Sequence, residues 1–459
     1  MSFRNLKAAF LALLLLLTPS YVSQAAAPDT QTSVNAALPE ARAHWLTKEM
    51  IAWNAPVAGP VVFASSGQSD SPAVQQSRPL APAGTVSGRL AETVPHLKGM
   101  RLYRTTNATR DAVRKALKGR VSVAVRGHDG SLVASTGLQI GGVLDNLFAN
   151  DEPLGVHFAN GNPTIGLWAP TAHAVHLRLY DRPSGGEAAI VPMVEDAATG
   201  VWRINGTRDW NHKYYQFEVT VYAPSLGRMV TNLVTDPYSL NLSAEGERSQ
   251  IIDLQDPDLK PEGWDRMARS MPEAPEDSAI YELHVRDFSI TDETTPRAHR
   301  GKFLAFSDTN SNGMRHLRSL SNAGLTHVQL LPTFDCATVP ERASRQKTPP
   351  DLSRFGRASE QQQAAIAAIR AEDAFNWCYD PLHFMAPDGG YASNPDGPAR
   401  VVEFRKMVLG LDRIGLGAVL DVVFNHTTAA GQAKFSVLDR GPAGQVGSNV
   451  IFAGRQAIY

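Results

Sequence analysis

The sequence predicts a multidomain chain: a β-rich N-terminal domain, an antiparallel β-sandwich, and then a parallel sheet built from βα units. Three observations carry this reading. The 459 residues suit about three domains. Between 152 and 255, short alternating apolar runs recur with turn residues between them, the pattern of a sandwich. From about 278 the order becomes strand, helix, strand, helix, strand, which implies parallel pairing.

The first 27 residues read as a secretory signal. Arg4 and Lys7 give a positive start, Ala8 to Thr18 is an apolar run, Pro19 breaks it, and small residues follow with A-x-A-like sites at 23–25 or 25–27. The run is shorter than the roughly 20 residues a membrane span needs. Export and a cleaved signal are therefore expected, with no stable span in the mature form.

Residues 28–150 are expected to form the β-rich domain. Trp45, Trp53 and Val61 to Ala64 suggest short strands, and 65–87 reads as a loop rich in Ser, Gln, Pro and Gly. Asn107 to Lys118 carries a helix signature with Asn107 or Thr109 as cap. Val121 to Val125 and Leu132 to Ala134 flank Gly127-His128-Asp129-Gly130, a hairpin signal. In the 151–260 unit the expected strands are Thr164 to Trp168, Val175 to Leu179, Gly200 to Ile204 and Tyr214 to Val221. Beyond it, Ile280 to Val285, His327 to Leu331 and Gly417 to Phe424 read as strands. Met314 to Ala323, Ser359 to Ala371 and Val401 to Asp412 read as helices, the second inside an insertion of about 40 residues.

Composition removes several classes. Lys plus Arg is 44 against 45 Asp plus Glu, so no overall field holds this chain to nucleic acid. Two cysteines, Cys336 and Cys378, are too few for a disulfide scaffold or a Cys-rich metal site. An oxidising compartment would permit them to pair; two thiols remain equally open, because sequence does not give their separation.

Polar residues at the ends of parallel strands are candidate site residues. Asp421, Asn425 and His426 end the third strand, and each can hydrogen-bond a sugar hydroxyl. The stretch Phe375-Asn376-Trp377-Cys378-Tyr379-Asp380-Pro381 mixes aromatic and polar groups in irregular chain, suited to stacking on sugar rings. Tyr281 to Phe288 adds ionisable groups at the end of the first strand.

These residues carry a resemblance to bacterial type I pullulanases, the starch-debranching enzymes of glycoside hydrolase family 13. DVVFNH at 421–426 resembles that family's first conserved region, usually DVVYNH. FNWCYDP at 375–381 resembles its signature YNWGYDP, with Phe375 for Tyr and Cys378 for Gly. YELHVRDFS at 281–289, HVQLLPTFDCATV at 327–339 and YASNPDG at 391–397 are similar too. GLWAPTAHAVHLRLYD at 166–181 and VTDPYSL at 234–240 resemble the family 48 carbohydrate-binding module, and His44 to about 148 resembles the additional N-terminal domain of proteobacterial pullulanases.

The resemblance implies an immunoglobulin-like β-sandwich at 151–260 and, at 278–439, an incomplete (β/α)8 TIM barrel with about three βα units. It implies hydrolysis of α-1,6-glucosidic bonds in pullulan, amylopectin and limit dextrins by a two-carboxylate mechanism. Tyr379 would stack on the sugar at the cleavage point, with Asp421 and His426 on its hydroxyls and Trp377 and Asn376 beside them. Asn425 matches a position that ligates calcium in some amylase relatives, so calcium is a candidate ligand, while no cofactor is required. The partner is an α-glucan polysaccharide, and a monomer is expected.

The nucleophile and acid regions of the family are not in these residues: after His426 the sole acid is Asp439. The 459 residues by themselves are expected to be inactive, with no catalytic residue assigned. The tail at 440–459 diverges from the family pattern, which a change of reading frame near Asp439 would explain. The part from 278 onward is expected to be unstable alone, whereas 28–260 could fold. Two other readings remain: a secreted non-catalytic α-glucan-binding protein using Trp168, Trp202 or Trp210 as platforms, and a relative of isoamylase or branching enzyme.

Overall fold

A computed structural model describes residues 41–66, 76–106, 108–224, 226–267, 272–375, 377–424 and 426. The signal reading at 1–27, the tail at 440–459, and the candidate residues Asn376 and Asn425 lie outside the described residues.

The N-terminal strands are β1 (Ala43–Trp45), β2 (Met50–Ala52), β3 (Val61–Ser65), β4 (Gln76–Thr85), β5 (Arg101–Thr105), β6 (Val121–Arg126) and β7 (Leu132–Gln139). They close into a barrel in the order β1-β2-β5-β4-β3-β6-β7, with β1 pairing β7 in parallel. Closure leaves no strand edge. Three short helices accompany it: α1 (Gly88–Thr93), α2 (Arg110–Leu117) and α3 (Gly141–Phe148). Thr109 caps α2 by accepting from the Ala112 N–H at 3.2 Å, and Asn107, the other candidate, lies outside the described residues. Val113, Ala116 and Leu117 of α2 face a core that includes Trp45, Phe63 and Val123. The β6–β7 hairpin turns at Gly130, whose φ of 82° suits glycine.

One expectation is corrected. Residues 76–85, read as loop, form β4, paired with both β3 and β5. Two prolines, Pro79 and Pro82, hide the strand in the sequence. A β-bulge between Pro82 and Thr85 absorbs the irregularity, and neighbours on both sides supply the pairing that propensity does not.

The sandwich strands are β8 (Gly155–Ala159), β9 (Asn162–Trp168), β10 (Ala172–Tyr180), β11 (Ala189–Pro192), β12 (Val194–Asp196), β13 (Val201–Asn205), β14 (Tyr214–Ala223), β15 (Arg228–Val234) and β16 (Ser249–Gln250). One sheet runs β11-β10-β14-β15 with β16 on β14; the other runs β12-β13-β9-β8. In β14 the alternation is regular: Tyr215, Phe217, Val219 and Val221 point into the core. Burying each such side chain contributes roughly 1.5–3 kcal/mol. Trp168 and Trp202 are also core residues, each 6% exposed. Their indole N–H groups are used inside: Trp168 Nε1 donates to Thr199 O at 2.9 Å and Phe148 O at 3.1 Å, and Trp202 Nε1 to Ala169 O at 2.9 Å. Trp210 is half-buried over Gly206, where an added Cβ would meet the indole at 2.4 Å.

The third region holds β17 (Ile280–Leu283), β18 (His327–Leu330) and β21 (Gly417–Leu420), all parallel, in the order β17-β18-β21. Between β18 and β21 lies an antiparallel pair, β19 (Phe334–Cys336) and β20 (Pro381–Pro387). The helices are α4 (Val285–Ser289), α5 (Asn312–Asn322), α6 (Glu360–Ile369) and α7 (Ala399–Asp412). Among the described residues these strands form an open three-stranded parallel sheet and not a closed barrel. The first strand stops at Leu283, because Val285 to Ser289 turns into α4, and the third stops at Leu420. The strand expected over Gly417 to Phe424 is therefore shorter than the sequence suggests.

Sandwich and α/β region are joined by buried polar groups. Arg400, fully buried on α7, donates to Ser243 O at 2.8 Å, Pro395 O at 2.8 Å and Pro387 O at 3.1 Å. Thr235 Oγ1 pairs with His383 Nε2 at 2.7 Å. Arg405 donates to Leu254 O and Leu259 O, each at 2.9 Å. Gly246, at φ 61°, lets the sandwich backbone approach closely; an added Cβ would sit 3.0 Å from the Asp335 carboxylate and 3.1 Å from His383. No helix among the described residues is long and apolar enough to cross a membrane.

Candidate functional site

Because β17, β18 and β21 are parallel, their carboxyl ends lie together, and the irregular chain following each brings polar groups to one mouth. After β17 come His284 and Arg286; after β21 comes Asp421. The loop from Phe375 to Tyr379 runs between these two ends. Its first ring, Phe375, sits edge-on to His284 at 5.9 Å and under the Arg286 guanidinium at 5.6 Å. Its last ring, Tyr379, donates its hydroxyl to Asp421 Oδ2 at 2.5 Å. His426 Nε2 lies 2.8 Å from the Tyr379 carbonyl oxygen. Tyr379, Asp421 and His426, 47 residues apart at most, are thus one hydrogen-bonded group.

The aromatic rings face outward. Trp377 is 55% exposed, Phe375 46% and Tyr379 36%. Large apolar surface left open and rimmed by polar groups marks a binding face more often than waste. The Asp421 hydrogen bond, with burial and the charges of Asp421 and Glu282 behind it, pushes the Tyr379 phenol up to about 12. Tyr379 therefore stays a hydrogen-bond donor through the ordinary pH range. That bond occupies Asp421 Oδ2 and leaves the carboxylate's other oxygen as an acceptor for a ligand hydroxyl.

The backbone of this loop is tied from beneath. Cys336 on β19 and Cys378 are joined by a disulfide, Cα to Cα 5.4 Å, so the pairing left open by the sequence is made. The Ala337 N–H donates to Asp380 O at 3.0 Å. His284, buried at the floor, has Nε2 2.8 Å from the Tyr391 hydroxyl. Phe424, where the resembled motif has tyrosine, lies tilted against Phe384 with ring centroids 5.5 Å apart.

Sequence reasoning missed the charged cluster below the mouth. Arg400 Nη1 donates to Asp335 Oδ1 at 3.2 Å and Nη2 to Glu341 Oε2 at 2.5 Å; His383 Nδ1 lies 2.7 Å from Asp335 Oδ2. The Asp388 carboxylate accepts from the N–H of Cys336 at 3.1 Å and of Gly390 at 2.7 Å. Burial pushes the Asp335 carboxyl up, but His383 and Arg400 outweigh it and hold it below its ordinary value. Burial raises Glu341 well above the usual range despite Arg400, and raises Asp388 to about 6. Ligand atoms of Asp335, Glu341 and Asp388 all lie within 4.8 Å of one another, the spacing of a cation site. The cation they share is the Arg400 guanidinium. Their separation along the chain left no local signal; the turn begun by Asp388, Gly389 and Gly390 was the nearest to one.

Comparison with known proteins agrees along the chain. Residues 40–146 match the Pullulanase N2 domain, and residues 153–239 match carbohydrate-binding module 48, the isoamylase N-terminal domain. The chain is 40% identical over 415 residues to pullulanase 1, chloroplastic, of Arabidopsis thaliana, covering 87% of this chain and 42% of that protein. It is 34% identical over 458 residues to a pullulanase of Klebsiella pneumoniae, covering 87% and 41%. The crystal structure of apo pullulanase from Klebsiella pneumoniae superposes with a TM-score of 0.81 at 31% identity, over 91% of this chain and 49% of that one. A structure of Klebsiella pneumoniae pullulanase complexed with maltotriose gives 0.81 at 31% identity, over 90% and 43%. The chain spans less than half the length of these relatives.

Proposed function

We propose, from the premise that this chain is pullulanase-like in both its N-terminal domains and its α/β region, that its strand-end mouth is an α-glucan subsite of a starch-debranching hydrolase. The observation that carries this is the Tyr379–Asp421 hydrogen bond beside the exposed rings of Phe375 and Trp377. The ring faces offer apolar surface to the C–H face of a glucose unit, and Asp421 and His426 offer polar groups to its hydroxyls. Maltotriose, which accompanies a related pullulanase in its crystal structure, is the natural probe.

The activity of the longer relatives would be hydrolysis of α-1,6 branches by two carboxyl groups, one a nucleophile and one an acid. In these residues Asp421 is engaged by Tyr379, and the two family regions that supply those carboxyls are not present. The 459 residues by themselves therefore bind glucan and do not cleave it. Reducing-sugar release from pullulan tests the second half: none is expected, and turnover by the purified chain would refute it. Affinity electrophoresis in amylopectin gels tests the first: retardation is expected, and it should weaken in Tyr379→Ala.

A further inference from the structure

The disulfide sits in the aromatic loop itself. Cys378 lies between Trp377 and Tyr379 with φ of 60°, a left-handed conformation that side chains other than Gly, Asn and Asp seldom adopt. Both cysteines are buried, at 4% and 1% exposure. The bond joins β19 to the loop across a sequence separation of 42. Around Cys378, the described residues between 374 and 380 belong to no helix or strand. Its two neighbours, Trp377 and Tyr379, are both outward-facing members of the site, so any relaxation of φ at Cys378 swings them relative to Asp421.

We propose that the Cys336–Cys378 bridge is a positioning device for the sugar-facing loop. It holds at residue 378 a backbone conformation that glycine would hold freely, and thereby keeps Trp377 and Tyr379 aligned with Asp421. The proposal rests on the glucan-subsite reading for its functional consequence, while the positioning itself rests on the loop geometry. Bridge formation takes one proton and one electron from each thiol and passes them to a disulfide-bearing oxidant by thiol–disulfide exchange. With the bridge removed, a cysteine or serine at 378 loses the covalent tie that holds it in the left-handed region, whereas a glycine adopts that region without strain.

The test uses the full chain and two readouts. Hydrogen–deuterium exchange follows the amides of 372–381, and calorimetry follows maltotriose affinity. Cys336→Ser and Cys378→Ser should each speed exchange in 372–381 about tenfold and weaken maltotriose about tenfold. Exchange in the sandwich strands, 155–234, should not change, which separates loop loosening from misfolding. The decisive variant is the double one: adding Cys378→Gly to Cys336→Ser should restore both readouts to within about threefold of the unaltered chain. A purely structural staple would not be rescued by a second cysteine loss. Unchanged exchange in Cys336→Ser, or a double variant no better than Cys336→Ser, would overturn the proposal. Trp377→Ala separates the two layers. If exchange follows the expected order but maltotriose binding is absent or indifferent to Trp377→Ala, the subsite reading falls and the loop positioning stands. If Trp377→Ala abolishes binding while bridge loss changes nothing, the positioning falls and the subsite stands.

Discussion

The tryptophans of the sandwich and the aromatic rings of the strand-end loop are placed in opposite ways. Trp168 and Trp202 are closed in, their N–H groups donating to the backbone, and Trp210 lies on Gly206. Phe375, Trp377 and Tyr379 stand open, Phe375 under Arg286, Tyr379 bonded to Asp421, and Trp377 next in the chain to the bridged Cys378. An aromatic ring contributes either to a core or to a ligand platform, and the sandwich has spent its indoles on the first. The scaffold differs in the same sense. The N-terminal barrel is closed and the sandwich has two covered inner faces, while β17 and β21 leave Ile280, Tyr281 and Leu420 exposed. Closed and covered sheets are concentrated in the N-terminal half and exposed aromatic surface in the other.

Arg400 is where that division is most fragile. Arg400→Met leaves Glu341 buried without its cation and Asp335 with His383 alone, at a cost of about 3–5 kcal/mol. Calorimetric melting should then split, with the region from 278 onward lost first and the barrel and sandwich melting as before; a single unshifted transition would contradict the division. Trp202→Ala attacks the other half. It should cost about 3–4 kcal/mol from the sandwich core, read by denaturant unfolding, with maltotriose affinity unchanged while the chain stays folded.

Asp236 sharpens the comparison by pH. Burial raises its carboxyl to about 6 despite the Tyr215 hydroxyl at 2.6 Å and the Tyr238 N–H at 2.8 Å. Since the folded value lies above the unfolded one, the folded state holds the proton more tightly. That contribution is complete below about pH 4 and is lost as pH rises through 6, amounting to about 2–3 kcal/mol. Asp236→Asn should remove it, so the difference in melting temperature between variant and parent should change between pH 4 and 7. Parallel curves would show that Asp236 does not titrate there. Tyr379→Phe is the mildest change. It keeps the ring and deletes the hydroxyl bonded to Asp421, so maltotriose affinity should fall only about threefold, with stability unaffected.

Much of this division is legible in the sequence. Alternation along 214–221 gives a sandwich strand, Thr109 with the apolar residues after it gives a helix, and DVVFNH and FNWCYDP point to the mouth. Other features are hidden for physical reasons. Pro79 and Pro82 mask β4, whose pairing comes from strands before and after it. The third strand looked longer than it is, because Val422 to Phe424 stay apolar after the ladder ends at Leu420; there Val423 packs inward and Phe424 turns to Phe384. Arg400 meets Ser243, Asp335 and Glu341 only in the folded chain, and no local pattern announces such a meeting.

The proposed subsite places glucan at the strand-end loop and not on the sandwich. Calorimetric titration of maltotriose into the intact chain, Tyr379→Ala and Trp210→Ala separates the two placements. At least a tenfold loss of affinity is expected in Tyr379→Ala and none in Trp210→Ala. Loss in Trp210→Ala with full affinity in Tyr379→Ala would contradict the proposed subsite.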